Sequence, residues 1–131
     1  MPTNIKIDSG KNLIYFRIIG QLTVNEYENS IRDLEVNPDF RPEQNVLFDL
    51  RQGDLSSIST EEIRQLIEIS RIHLRKSSQK MKTACVAPKD VNFGIMRIYE
   101  FLRTDIPTQF ALFREINEAL DWLNSNTKNY V

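Results

Sequence analysis

The stretch Val46-Leu47-Phe48-Asp49-Leu50 is a short apolar run with a single carboxylate inside it. A loop containing Pro42 precedes the run, and Arg51-Gln52-Gly53-Asp54 follows it with the composition of a turn. A run of this length and apolarity is typical of a strand that is covered on both faces of a sheet. We therefore predict a central buried strand over 46–50 and a turn over 51–54.

A helix start lies on each side of this predicted strand. Thr23 with Glu26, and Ser59 with Glu62, have the spacing of a capping box, in which each side chain accepts a hydrogen bond from the backbone N–H of the other residue. The first helix is predicted to end at Asn37-Pro38, because the residue before a proline avoids the helical conformation. The second helix is predicted to have an inner face of four apolar residues, namely Ile63, Leu66, Ile67 and Leu74.

The alternation of strands and helices continues in both directions. Short β-branched or aromatic runs predict strands at 5–7, 13–19, 83–87 and 109–113, with Gly20 ending the second of them. Helices are predicted at about 91–103, with Asp90 as the N-cap, and at about 115–123. The order β-β-α-β-α-β-α-β-α predicts an α/β fold with a mixed, mostly parallel five-stranded sheet and four helices.

Composition limits the class of protein. The 131 residues fit one domain, predicted to span residues 1–131 with an ordered core over about 4–124. The formal net charge of −1 gives no general attraction to nucleic acid, so no nucleic-acid partner is expected. No apolar run approaches the roughly 18 residues that a membrane span needs. A single cysteine, and an N-terminal sequence without the pattern of a signal peptide, favour a cytoplasmic location.

Five motifs distributed along the chain have a familiar form: Ile19-Gly20-Gln21-Leu22-Thr23, Val46-Leu47-Phe48-Asp49-Leu50-Arg51, Ala84-Cys85-Val86-Ala87, Phe113-Arg114 and Ala119-Leu120-Asp121-Trp122-Leu123. Together with the order of elements, they resemble the SpoIIAA-like, or STAS-like, domains of bacterial anti-sigma-factor antagonists and sulfate-transporter tails. The chain is most similar to small, stand-alone bacterial members of that family, which are mostly uncharacterised. The resemblance covers nearly the whole chain.

The resemblance implies a regulatory or protein-interaction module that is not an enzyme. In the antagonists of this family, a serine at the start of the helix after the central strand is phosphorylated, and Ser59 and Thr60 fall near the matching position. The family's Asp-Ser-Ser/Gly-Gly pattern is absent, and the adjacent Glu61 and Glu62 would repel an added phosphate. Helix capping by Ser59 is therefore the favoured interpretation, with a phospho-acceptor at Ser59 or Thr60 as the alternative.

No residues that commonly carry catalysis stand in a recognisable arrangement. His73, the single histidine, lies among Arg71, Arg75 and Lys76 and is expected to be a solvated helix residue. Cys85, the single cysteine, lies in an apolar strand and is expected to pack in the core. These two residues are too few for a structural zinc site, and the scattered glycines form no phosphate-binding loop. We therefore expect no metal, no cofactor and no catalytic residues.

Polar residues follow two neighbouring predicted strands, at the edge where ligands bind in open α/β sheets. Asp49, Arg51 and Gln52 stand at the end of the central strand, and Lys89 and Asp90 at the end of the next. Nearby helix N-termini would add backbone donors for an anion. A crevice for a small anionic or polar ligand is one hypothesis. The favoured interpretation is that Asp49 and Arg51 form a structural ion pair and hydrogen bonds with their neighbours.

The predicted helix over 91–103 has too many apolar residues for a single buried face. At about 100° per residue, its core face consists of Val91, Ile95, Ile98 and Leu102. Phe93 and Met96 then fall on the opposite face and Phe101 on a flank, beside Arg97 and Arg103. Exposed apolar side chains beside arginines are typical of an interface with a protein partner or a second copy of the chain. Cover by neighbouring loops is an equally favoured alternative.

Two functions stay open at this point. The favoured one is the regulatory or protein-interaction module, acting with a partner or as a homodimer. The alternative is a small-molecule or lipid-binding protein that uses the strand-end crevice or an apolar pocket beneath helix 91–103, since the SpoIIAA-like fold is similar to that of CRAL-TRIO lipid carriers. A large apolar cavity would favour the alternative, and a filled core with an apolar surface would favour the module.

Overall fold

The computed structural model describes residues 3–73 and 81–125, and the predicted order of strands and helices is confirmed. The strands are β1 (Thr3–Asp8), β2 (Leu13–Gln21), β3 (Asn45–Asp54), β4 (Lys82–Val86) and β5 (Gln109–Phe113). The helices are α1 (Val24–Glu35), α2 (Thr60–His73), α3 (Asp90–Leu102) and α4 (Ile116–Asn124). Leu74, Arg75 and Lys76, about which the sequence made predictions, lie outside the described residues.

The strands form one sheet in the order β1-β2-β3-β4-β5, so each strand lies beside its neighbour in sequence. β1 and β2 pair antiparallel, and every later pair is parallel. Right-handed crossovers that always advance in one direction place their helices on one face of the sheet. Accordingly, α1, α2 and α3 cover one face, whereas α4 packs on the other face against β3, β4 and β5.

The core lies on both faces of the sheet. The larger cluster, between the sheet and α1–α3, includes the fully buried Phe16 and Cys85. Core packing of Cys85 is thereby confirmed, and burial raises the pKa of its thiol, which keeps it protonated. The smaller cluster joins Leu47 and Ala84 to Ala119 of α4.

Two strands are longer than the sequence predicted. Gly20 does not end β2, which continues to Gln21, and the turn predicted over 51–54 is the last part of β3. The two extensions pair with each other, Gly20 opposite Gly53, beyond a register shift between Arg17 and Ile19. A Cβ atom on Gly53 would lie 3.0 Å from a Leu50 methyl carbon, so the glycine serves close packing within a strand rather than a turn.

Both predicted capping boxes are present at the starts of α1 and α2. The backbone N–H of Glu26 donates to Thr23 Oγ and that of Glu62 donates to Ser59 Oγ, each over 3.1 Å. The predicted N-cap of α3 is wrong. Lys89 occupies the cap position without a side-chain hydrogen bond, and Asp90 is the first helical residue.

The predicted core face of α3 is wrong at two of its four positions. Ile95 and Leu102 pack against the core, but Val91 and Ile98 are 55% and 40% exposed. The cause is Asn92, which is only 1% exposed. This polar residue points inward, and the helix is rotated about its axis relative to the prediction.

Candidate functional site

A cavity of about 410 Å³ lies between the sheet and the C-terminal ends of α1, α2 and α3. It is at the amino ends of the parallel strands, where Ile14, Val46, Thr83 and Phe110 form its floor. This is the edge of the sheet opposite to the one predicted for a ligand. The cavity also contacts Tyr99 and Arg103 at the end of α3. A smaller cavity of about 40 Å³, which Ile95, Met96 and Tyr99 line, lies beneath the body of that helix, where the apolar pocket was predicted.

The cavity wall is mainly apolar. Side chains from β2, β3, β5, α1 and the loop after α1 supply most of it, namely Ile14, Phe16, Ile31, Leu34, Phe40, Pro42, Val46, Phe48 and Phe110. Three of the rings form a cluster, with the Phe16 and Phe48 centroids 4.8 Å apart and those of Tyr27 and Phe48 6.2 Å apart. Such a surface binds apolar groups of a ligand more favourably than it binds water.

Three hydroxyl groups lie together in this wall. Ser70 Oγ donates to the carbonyl oxygen of Leu66 over 3.0 Å, which uses its only proton. The hydroxyls of Tyr27 and Tyr99, at 2.9 Å and 3.1 Å from Ser70 Oγ, therefore donate to it. Burial raises the pKa of Tyr27, which keeps its hydroxyl protonated. Each tyrosine oxygen keeps capacity to accept a hydrogen bond from a ligand.

Arg103 brings a positive charge to the cavity although it is only 7% exposed. One of its terminal nitrogens, Nη2, donates to Thr108 Oγ over 2.6 Å, and both terminal nitrogens lie 3.3 Å from the Thr108 carbonyl oxygen. The guanidinium also lies 5.0 Å from the Phe110 ring centroid. Its Nε is buried and has no hydrogen-bond partner among the described residues. Within residues 3–73 and 81–125, no carboxylate forms an ion pair with Arg103.

At the other end of the cavity, the last turns of α1 and α2 are joined. His73 Nδ1 lies 2.8 Å from Glu35 Oε2, and the His73 side chain is 20% exposed. The expectation of a fully solvated histidine is therefore wrong, because the neighbouring helix covers one side of the ring and supplies a carboxylate. Both residues line the cavity.

Asp49 and Arg51, predicted at a strand-end crevice, are brought together by the structure. Asp49 is 2% exposed and accepts from Arg51 Nη2 over 2.9 Å and from Arg51 Nε over 3.0 Å. The Tyr15 hydroxyl also donates to Asp49. Burial alone would raise the pKa of Asp49, but the hydrogen bonds from Arg51 and Tyr15 outweigh it and hold that pKa below its usual range. The favoured interpretation, a structural ion pair, agrees with this geometry.

The other residues of the predicted crevice do not join this pair. Asp90 lies 2.7 Å from Arg114 Nη1, and Gln52 and Lys89 are exposed. The cavity of about 410 Å³ and the smaller one of about 40 Å³ are lined by none of the five residues. A crevice forms where strand order reverses and successive helices pass to opposite faces. Here β2 to β5 advance in one direction, and a ligand at this edge stays a prediction.

The four residues predicted for an interface have different environments. Phe93 and Met96 pack against the core, and the Arg114 guanidinium lies 4.2 Å from the Phe93 ring centroid. These two residues are thus placed by the rotation of α3 toward the core, and not by the cover of neighbouring loops that was the alternative to an interface. Phe101 is 78% exposed, and Arg97, which is also exposed, pairs with Glu100 over 3.2 Å. Ser59 and Thr60 are exposed at the start of α2.

The sequence analysis missed most polar residues of the cavity. Tyr27 was not considered as a site residue, and Arg103 was considered only as part of a surface. Ser70 gives the one signal that could have located the site, because it follows Leu66 by four residues and so lies on the buried face of α2. A hydroxyl at such a position needs a buried partner.

No protein-family model matches the chain, and a search of curated proteins finds no match. A solved structure that matches is that of an uncharacterised protein from the DUF3478 family, with a SpoIIAA-like fold, from Shewanella loihica PV-4. The TM-score is 0.60 at 21% sequence identity, and the match covers 92% of this chain and 91% of that one. This chain has a SpoIIAA-like fold. The resemblance drawn from its sequence is thus confirmed for the fold, which by itself assigns no activity.

Two further searches bear on the chemistry open to this SpoIIAA-like fold. In the described ranges, no helix is both long and apolar enough to cross a membrane. No group of three or more His, Cys, Asp or Glu side chains within residues 3–73 and 81–125 is placed to hold a metal ion.

Proposed function

We propose that this protein binds a small, largely apolar molecule in the cavity between its sheet and α1–α3, as a cytoplasmic binding protein and not as an enzyme. The observation that supports the proposal is the cavity of about 410 Å³ with its mainly apolar wall. Small-molecule sites commonly measure about 300–1,000 Å³ and combine an apolar lining with a few polar groups. Protein interiors otherwise leave few voids larger than a water molecule.

The polar groups of the wall fit a binding site better than a catalytic one. The hydroxyls of Tyr27 and Tyr99 are engaged with Ser70. His73 pairs with Glu35 at the other end of the cavity, and no hydroxyl or thiol of the described residues is hydrogen-bonded to His73. A nucleophile would need a base within hydrogen-bond distance and a third group to orient that base. The arrangement orients a bound molecule and excludes water from it.

The experiment is titration of the full chain with N-phenylnaphthylamine, an uncharged dye whose fluorescence rises in apolar surroundings. We expect saturable enhancement that decanol displaces. Ile31→Trp places a larger side chain in the cavity wall and should weaken dye binding at least tenfold. Val36→Trp, on an 81% exposed residue just after the same helix, is the matched control and should bind as the wild type does. Absence of saturable enhancement in the wild type, or equal binding by Ile31→Trp, would overturn the proposal.

A second candidate function is the protein-interaction module, supported by the exposed side of α3. Val91, Ile98 and Phe101 are 55%, 40% and 78% exposed, and all three are apolar. We propose this side as the contact with a protein partner or with a second copy of the chain. Light scattering of the wild type and of Ile98→Glu/Phe101→Glu tests the dimer. A dimeric wild type and a monomeric double variant would support the homodimer. Monomer masses for both proteins would exclude it.

A further inference from the structure

We infer that the ligand is an amphipathic carboxylate whose headgroup binds Arg103 and whose apolar tail lies across the strands toward α1. This inference rests on the proposed function, because it names the class of ligand for the same cavity. The observation that supports it is that a buried guanidinium, with one N–H donor unused among the described residues, lies in the wall of a mainly apolar cavity.

The charge of Arg103 lacks a full counter-charge. Removing a guanidinium from water is costly unless it is paired. The groups that surround it are the carbonyl and hydroxyl oxygens of Thr108 and the ring face of Phe110. The C-terminal end of α3 adds about half a negative charge. Each of these is a partial charge, so a carboxylate would supply the missing whole one.

The guanidinium also has a donor that its neighbours in the described residues leave unused. A guanidinium has five N–H donors. In Arg103, Nη1 and Nη2 both donate to the carbonyl oxygen of Thr108, and Nη2 also donates to its hydroxyl oxygen. Among the described residues, Nε has no hydrogen-bond partner, and it has almost no accessible surface. Once the Arg103 side chain turns so that Nε faces the cavity, a carboxylate would accept from it in a charge-assisted hydrogen bond, which is about twice as strong as a neutral one.

The orientation of the ligand follows from the charges at the two ends of the cavity. Arg103 is beside Phe110 on β5, whereas Glu35 and His73 close the cavity beside α1. Glu35 would repel an anionic headgroup at its end, although its hydrogen bond with His73 moderates that charge. The headgroup therefore belongs at Arg103 and the tail near Glu35.

The distance between those ends suits a tail of medium length. The floor of the cavity runs from Phe110 on β5 across β4 and β3 to Ile14 on β2. Three gaps between neighbouring strands, each about 4.8 Å, give a span of about 14 Å. An extended decanoate is close to that length, and its methylene groups would lie against Val46 and Ile14.

The test compares ligands that share a tail and differ in headgroup. Displacement of N-phenylnaphthylamine from the full chain is measured with decanoate, decanol and decylamine at neutral pH. We expect decanoate to bind about tenfold or more tightly than decanol, because its headgroup gains hydrogen bonds to a charged donor. Decylamine, a cation, is expected to bind less tightly than decanol. Equal affinities, or a preference for decylamine, would overturn the inference.

Arg103→Met then assigns the preference to one side chain. It should bring the decanoate and decanol affinities within about threefold of each other while decanol binding is retained. Arg97→Met is the matched control, because Arg97 is on the same helix, exposed and outside the cavity wall. If decanoate keeps its advantage in Arg103→Met, the inference is wrong.

The two proposals fail in different ways. If the dye and all three ligands show no saturable binding to the wild type, the cavity does not bind ligands and the proposed function falls. If decanol and decanoate bind equally, the binding function stands and the carboxylate specificity falls. Should Arg103→Met not fold, the headgroup comparison on the wild type alone decides the inference.

Discussion

The side chain of Asn92 on α3 donates from Nδ2 to the carbonyl oxygen of Gly53 on β3 over 3.0 Å. Its Oδ1 accepts from the backbone N–H of Leu55 over 2.9 Å. This fully buried amide therefore pairs two backbone groups at the end of β3 and fixes the rotation of α3. Tyr99 and Arg103 follow Asn92 by seven and eleven residues, on the same side of the helix, and so point toward the cavity.

Replacing Asn92 with Ala should lower the free energy of unfolding by about 3 kcal/mol, because a backbone donor and a backbone acceptor are left buried without partners. Urea unfolding followed by circular dichroism measures the loss. Asn117→Ala, on an exposed residue of α4, is the control and should change stability by less than about 0.5 kcal/mol. A loss below about 1 kcal/mol for Asn92→Ala would show that the amide does not anchor the helix.

Asn92 also shows where prediction from the sequence ends. The capping boxes at Thr23 and Ser59 and the strand at 46–50 could be predicted because their determinants are local in sequence. The rotation of α3 could not, since the partners of Asn92 are 39 and 37 residues away in the chain. The core face was predicted from the spacing of the apolar residues alone, which gives no indication of a buried amide.

The cavity was beyond prediction for a related reason. It is formed by the ends of three helices and four strands, so its existence depends on how the helices pack and not on any single segment. The predicted site at the other edge followed a rule for sheets whose strand order reverses. This sheet advances in one direction, which the order of elements in the sequence does not reveal.

A second prediction concerns how the contribution of Asp49 to stability changes at acid pH. The hydrogen bonds from Arg51 and Tyr15 lower the pKa of Asp49 in the folded state. A carboxylate with a lowered folded-state pKa contributes stability that is present above its unfolded pKa, about 3.9, and is lost as pH falls through the folded-state pKa. The contribution of Asp49 should therefore fade as pH decreases from about 5.

Asp49→Asn isolates this contribution. At pH 7 we expect it to cost about 2 kcal/mol, because hydrogen bonds to a charged acceptor are replaced by weaker ones. The difference in unfolding free energy between wild type and variant should shrink as pH falls below about 4. Asp33→Asn, on an exposed residue of α1, is the control. A difference that stays constant from neutral to acid pH would contradict the assignment.

A third prediction concerns Ser59, which caps α2. Its backbone N–H donates to Glu62 Oε1 over 3.0 Å, and its hydroxyl accepts from the Glu62 N–H. Ser59→Ala should cost about 1 kcal/mol in chemical unfolding. Ser57→Ala, on an exposed residue of the preceding loop, should cost much less. Equal effects of the two substitutions would mean that the cap contributes nothing.

Phosphorylation at this position is a separate question from capping. A phosphate on Ser59 or Thr60 would lie beside Glu61 and Glu62 and would be repelled by both carboxylates. Mass spectrometry of the protein after incubation with a kinase-active bacterial lysate is expected to find no phosphate on either residue. Stoichiometric phosphate on one of them would instead support the regulatory role that the fold resemblance implies.

The last prediction concerns Lys82, which is 4% exposed and ties the end of α4 to the sheet. Its Nζ donates to the carbonyl oxygens of Trp122 and Ser125 over 2.9 Å and 2.6 Å, and to Ser125 Oγ over 2.9 Å. Burial lowers the pKa of this ammonium, yet its three donors are all used. The ammonium thus adds hydrogen bonds to oxygens at the C-terminal end of α4, where the Trp122 carbonyl oxygen also accepts from the Ser125 N–H.

Lys82→Met keeps the apolar stem and removes the donors. We expect a loss of about 2 kcal/mol in unfolding free energy, together with faster hydrogen exchange in peptides covering α4 but not in those covering α1. Lys89→Met, on an exposed residue at the end of the loop after β4, is the matched control and should leave both measurements unchanged. Because α4 packs on the face of the sheet opposite the cavity, dye binding should also be retained. Faster exchange in α1 and α4 alike would mean that Lys82 supports the whole fold and not this helix.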